Sequence, residues 1–81
     1  MNTEQIYQQL EEIFREVFFI DDLKLKPETS AKDVVGWDSY KQVEILFAVE
    51  DKFGVRFNSR EIESLANVGD LAKIIEKKSS R

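Results

Sequence analysis

Apolar side chains recur along this chain at every third or fourth position, and no segment sustains the every-second-position alternation of a half-buried strand. That spacing gathers them on helix faces, so the chain is expected to be all-α. The first face runs from Asn2 to about Phe18 through Ile6, Leu10, Ile13, Phe14 and Val17. The second runs from Ser39 to Phe53 through Tyr40, Val43, Leu46, Phe47 and Phe53, and stops at Gly54. Asn58 with Glu61 three residues later has the form of a capping box for a short third helix reaching about Leu65. Asn67 with Asp70 repeats the pattern ahead of a last helix that uses Val68, Leu71, Ala72, Ile74 and Ile75 and closes on Lys77 and Lys78. Ser79 to Arg81 are expected to fray. The expected architecture is a four-helix bundle with three longer helices and a short third one. A long ordered loop from Ile20 to Gly36, holding the only proline, Pro27, joins helices one and two.

Composition narrows the function. The 81 residues leave room for one domain, residues 1–81, and 42% hydrophobic against 35% charged residues is a globular balance with a thin core. The chain has no cysteine and no histidine, so it offers no disulfide, thiolate nucleophile, imidazole base or ordinary zinc site. A net charge of -4 and a pI of 4.8 oppose binding to nucleic-acid phosphates. The first residues carry no basic stretch followed by an apolar one, and the longest early apolar run is Val17 to Ile20, so membrane insertion is not expected. A cytoplasmic monomer is expected.

One position stands apart. Asp38 is a good N-cap, which puts Ser39 at the first helical position and at the positive end of the second helix. By itself such a serine reads as a local cap or a solvent-facing residue. Its setting says more. Asp33, Gly36-Trp37-Asp38-Ser39-Tyr40, Val43-Glu44, Glu50, Phe53-Gly54, Glu61 and Val68-Gly69-Asp70-Leu71 follow one another in an order and spacing that resemble the acyl carrier protein family over nearly the whole chain.

The resemblance implies a non-catalytic carrier. A phosphopantetheinyl transferase would move 4'-phosphopantetheine from coenzyme A onto Ser39, and an acyl group would then ride on the arm as a thioester for acyl-transfer, ligase or synthase enzymes. A helix N-terminus suits the phosphodiester that results. The missing cysteine fits as well, because the thiol arrives with the cofactor. Asp38 would cap the helix and, by resemblance, contact the transferase's Mg²⁺ or orient the serine. Gly36 is expected to let the backbone turn where larger residues cannot, and Trp37 to anchor packing beside the arm.

The resemblance also implies a partner surface of Trp37, Tyr40, Val43, Glu44, Phe47, Glu50, Asp51 and Ile62, whose acidic members meet basic patches on enzymes. Several residues depart from the family pattern. Lys41 and Lys52 are expected to interrupt the negative face of the second helix, and Arg56 and Arg60 follow it. Tyr40 stands where leucine or methionine is usual, and Asn67 where threonine is usual. These departures suggest a specialised carrier in fatty acid, polyketide or related biosynthesis. Val43, Leu46, Phe47, Ile62, Leu65, Leu71 and Ile75 are expected in the core, where Phe47, Phe53 and Phe57 either fill the interior or line a cavity.

Two alternatives stand beside this reading. One is an aminoacyl or peptidyl carrier serving an adenylating enzyme, again through Ser39. The other is an unmodified helical interaction module. A calcium-binding loop over Asp21 to Lys32 is rejected because the sixth and twelfth places lack glycine and glutamate.

Overall fold

Asn2 starts the first helix with a reciprocal cap: its side chain accepts from the Gln5 N–H at 2.8 Å, and the Gln5 side chain accepts from the Asn2 N–H at 3.1 Å. Helix α1 then runs Thr3–Phe18, in a computed structural model that describes residues 2–79. It ends where Phe19 turns left-handed at φ +57° and donates its N–H to the Arg15 carbonyl. Three further helices follow, α2 (Ser39–Phe53), α3 (Ser59–Glu63) and α4 (Val68–Ser79), with no strand among the described residues. The all-α bundle with a short third helix is as the spacing predicts.

The core forms between α1, α2 and α4. Ile6, Leu10 and Phe14 meet Ile45 and Val49, with Val68 and Ile75 closing the other side. Each such side chain, taken fully out of water, contributes about 1.5–3 kcal/mol. Helix α3 buries none of its residues and is shorter than expected. The Ser64 hydroxyl donates to the Glu61 carbonyl at 2.8 Å and the Leu65 N–H to the Ile62 carbonyl at 3.3 Å, a tightened last turn that ends the helix before Leu65.

The face that α2 turns inward differs from the expected one. Ile45, Leu46 and Val49 are buried, whereas Tyr40, Val43 and Phe47 are 73%, 51% and 67% exposed, and Ile62 on α3 is also exposed. Val43, Phe47 and Ile62 are therefore not core residues. Both sides of α2 carry apolar residues at helical spacing, so periodicity alone selects neither; Leu46 is buried as expected, and Ile45 and Val49 join it in place of Val43 and Phe47.

The long loop is ordered by its own turns and by the helices around it. The Leu25 N–H donates to the Glu11 carboxylate at 2.9 Å, Arg15 Nε donates to the Leu23 carbonyl, and Leu25 and Val34 bury their side chains. Two loop carbonyls receive the start of α4: Thr29 O accepts from the Val68 N–H and Pro27 O from the Gly69 N–H, both at 2.8 Å. A Cβ on Gly69 would lie 2.9 Å from Pro27 O, so glycine is what permits this approach. At the other end of α4 the expected fraying is absent at Ser79, whose hydroxyl donates to the Ile75 carbonyl at 2.8 Å within the helix. Ser80 and Arg81 lie outside the described residues.

Candidate functional site

The junction between loop and α2 is built from four consecutive residues. Gly36 adopts φ +90°, a conformation that side-chain-bearing residues rarely take, and it swings the chain into the helix. Trp37 then packs edge-on against Phe14 (centroids 5.1 Å apart, planes at 78°) and lies 6.4 Å from Phe18, which fixes the junction on the end of α1. Its indole Nε1 donates to Gln42 Oε1 at 2.7 Å. Asp38 is extended and caps α2, its carboxylate accepting from the Lys41 N–H at 2.9 Å. Ser39 follows as the first helical residue and is exposed.

The hydroxyl of Ser39 thus stands at the end of a fifteen-residue helix whose first-turn N–H groups favour an anion. Beside it opens a cleft of about 410 Å³, within the range of small-molecule sites. Trp37, Asp38 and Gln42 form one flank, and Ile62, Leu65, Ala66, Asn67 and Leu71 come from α3, the turn after it and α4. Phe53 and Phe57 pack against the core, and neither they nor the exposed Phe47 line this cleft.

Tyr40, Val43, Glu44, Phe47, Glu50 and Asp51 fall on one side of α2, at helical spacing from Tyr40. Ile62 is exposed on α3. Glu50 is only half-buried on this side and is already engaged, its carboxylate accepting from the Phe57 N–H at 2.9 Å and holding the turn after α2. Of the two lysines expected to interrupt the acidic face, Lys41 does so by pairing with Glu44, whereas Lys52 turns away to α1. Lys41 Nζ reaches the Val17 carbonyl on α1 at 3.4 Å and Glu44 at 3.3 Å, and Lys52 pairs with Glu12 of α1 at 3.5 Å. A helical turn of 3.6 residues carries positions 41 and 52 toward α1, about 100° away from the Tyr40 side. On α3, Glu61 caps Asn58 and pairs with Lys78 at 3.0 Å. These contacts, the backbone hydrogen bond first, hold its carboxyl below the usual carboxylate range.

Comparison with known proteins decides the family. Residues 8–75 match the model of the phosphopantetheine attachment site. The chain belongs to the acyl carrier protein family. An acyl carrier protein of Acidothermus cellulolyticus is 39% identical over 75 residues, covering 93% of this chain and 89% of that protein. One from Thermotoga maritima is 31% identical over 77 residues, 95% of each. The solution structure of the holo acyl carrier protein of Geobacter metallireducens superposes with a TM-score of 0.85 at 38% identity, covering 90% of this chain and 84% of that one.

Acyl carrier proteins are carriers and not catalysts, and they hold covalent 4'-phosphopantetheine, the cofactor assigned to this chain. These relatives are named as acyl carriers, which does not favour the aminoacyl alternative. No helix among the described residues is long and apolar enough to cross a membrane.

Sequence reasoning singled out Ser39, Asp38 and Trp37, which the fold brings together at one end of α2. It missed Gln42 and the cleft-lining role of Asn67. The signal for Gln42 was its place one turn beyond Ser39 on the same helix.

Proposed function

We propose that this acyl carrier protein holds 4'-phosphopantetheine on Ser39 and presents acyl intermediates to enzymes of fatty acid, polyketide or related specialised biosynthesis in the cytoplasm. The observation that carries the reading is the exposed Ser39 directly after an acidic N-cap, with a cleft opening beside it. Bound there, the cofactor supplies the terminal thiol that carries the acyl group as a thioester. The chain's own residues do the rest. Asp38 orders the first turn and keeps the serine outside the hydrogen-bonded ladder, and its charge is available to the transferase's Mg²⁺. In the transfer, Ser39 Oγ forms a bond to phosphorus as the pyrophosphate link of coenzyme A breaks and its adenosine half departs. The serine proton passes to the transferase.

The exposed side of α2 is the surface we assign to partner enzymes. Tyr40, Val43 and Phe47 give it apolar area, Asp51 gives it charge beside a Glu44 that is paired with Lys41, and Ile62 with Trp37 extends it past α3 and the cleft. Such a mixture favours fast, charge-steered encounters that also dissociate, which a shuttle requires.

Intact mass after incubation with a broad-specificity phosphopantetheinyl transferase, coenzyme A and Mg²⁺ tests the site. The parent gains one arm and Ser39→Ala gains none. A folded parent that stays at its starting mass, or a Ser39→Ala protein that gains the arm, overturns the assignment.

A further inference from the structure

Two side-chain amides face the cleft beside Ser39, and the hydrogen bonds of the fold fix which way round each one sits. Gln42 Oε1 accepts from the Trp37 indole at 2.7 Å, and Asn67 Oδ1 accepts from the Asp70 N–H at 2.9 Å. An amide has one acceptor oxygen and one NH₂ group with two donors. With both oxygens engaged, the unpartnered halves are the NH₂ groups, for which no acceptor is present among the described residues. No buried side-chain nitrogen among the described residues lacks a partner, so both groups reach solvent, on residues that line the cleft. The flank is thereby rich in donors. Asp38 at the mouth adds a negative charge, which disfavours a carboxylate there.

We infer that the cleft selects a neutral carbonyl oxygen, received by the NH₂ groups of Gln42 and Asn67. The inference rests on Ser39 as the attachment point and goes beyond it by naming what the site prefers to hold. A saturated hydrocarbon entering the cleft strips water from these donors and returns nothing, whereas a chain with a keto oxygen replaces the lost hydrogen bonds. The same chemistry is available from three sources, a keto group along the cargo, the acyl group's own carbonyl at its junction with the arm, or an amide carbonyl of the arm.

The test uses ¹⁵N-labelled full-length protein in three forms: arm alone, arm with a saturated acyl chain, and arm with the 3-oxo form of that chain, the acyl forms joined through hydrolysis-resistant amides. The side-chain NH₂ signals of Gln42 and Asn67 and the indole signal of Trp37 are recorded by NMR. Movement of both NH₂ signals with the 3-oxo chain beyond that with the saturated chain assigns the cargo as the source. Movement already complete with the arm alone assigns the arm. Equal movement with saturated and 3-oxo chains beyond the arm alone assigns the acyl group's own carbonyl, and no movement in any form overturns the inference.

Gln42→Glu and Asn67→Asp keep the oxygens that serve Trp37 and Asp70 while removing the donors, so the fold and the indole signal should persist. With thioester-linked chains, cleavage of the 3-oxo form by hydroxylamine should accelerate about two- to tenfold in each variant if the cargo is the source, the worth of one hydrogen bond, and that of the saturated form should not. If the arm or the acyl group's own carbonyl is the source, both forms should accelerate alike. Unchanged cleavage of both forms overturns the inference. Absence of the arm's mass at the first step overturns the Ser39 reading itself, and the inference with it.

Discussion

Replacing Gly69 by alanine sets two effects of opposite sign against each other. Helix propensity favours the change by up to about 1 kcal/mol, because glycine is the poorer helix former. The packing opposes it. The new Cβ would lie 2.9 Å from Pro27 O and 3.3 Å from Pro27 Cα, both backbone, and 3.3 Å from Asn67 Oδ1, which is itself held by the Asp70 N–H. The turn cannot yield without loss, since the Thr29 N–H donates to Lys26 O at 3.0 Å and the Lys26 N–H to Thr29 Oγ1 at 3.0 Å. Moving it away lengthens the Gly69-to-Pro27 and Val68-to-Thr29 hydrogen bonds, each worth about 0.5–1.5 kcal/mol. Overpacking adds about 1–3 kcal/mol. The net expectation is a destabilisation of about 1–3 kcal/mol, with a fall in Tm of about 4–8 °C for each kcal/mol in a domain of this size. Thermal and urea unfolding followed by circular dichroism measure it. An alanine variant as stable as the parent, or more so, would show that propensity outweighs the loop contact and would refute the reasoning.

Asp38→Ala removes the cap of α2 and should destabilise by about 0.5–2 kcal/mol, while Asp38→Asn should keep stability within a few tenths and still slow arm loading; equal loading by Asn would discount the charge. Phe19→Gly relieves a left-handed residue that is 88% exposed, and should stabilise by about 1 kcal/mol in a urea titration. The Glu61 carboxyl titrates below its ordinary value of 4.5 in the fold, so its contribution is present above that pH and is lost as pH falls through the lower folded value. Glu61→Gln should therefore lower stability at neutral pH and match the parent in strong acid, as acid-unfolding curves of the two proteins would report. Association with an enzyme that docks on the Tyr40 side of α2 should slow as salt rises, with dissociation changing less, in stopped-flow measurements.

The helices were legible because their signals are local. Asn2, Asp38 and Asn58 each begin a helix with a side-chain cap, Gly54 ends one in the left-handed region, and the face of Ile6, Leu10, Ile13 and Phe14 admits a single inward direction. The orientation of α2 was not legible. Tyr40, Val43 and Phe47 make as good a stripe as Ile45, Leu46 and Val49, and only the shape of the space left by α1 and α4 chooses between them. Lys52 misled for a related reason, since whether a charge belongs to the partner face depends on rotation about the helix axis and on what lies across from it. Within the candidate site, the residues next to Ser39 in the chain were visible and those next to it only in space were not. The pairing of Trp37 with Gln42, and the approach of Gly69 to Pro27, arise from contacts that no spacing rule encodes.

The two flanks of the cleft are held very unequally. On one side, Phe14, Phe18 and Trp37 interlock and Lys41 reaches across to the end of α1, so that flank moves only if the core moves with it. On the other, α3 has five residues, buries none of them, and is tied to α4 by the Lys78–Glu61 pair. A helix that short does not sustain itself in water. Opening is thus hinged at low energy, and its amide hydrogens should exchange well before those of α1. Cargo of differing bulk can be accepted by displacing α3 alone, while the serine and its cap stay in register for the enzymes that read them.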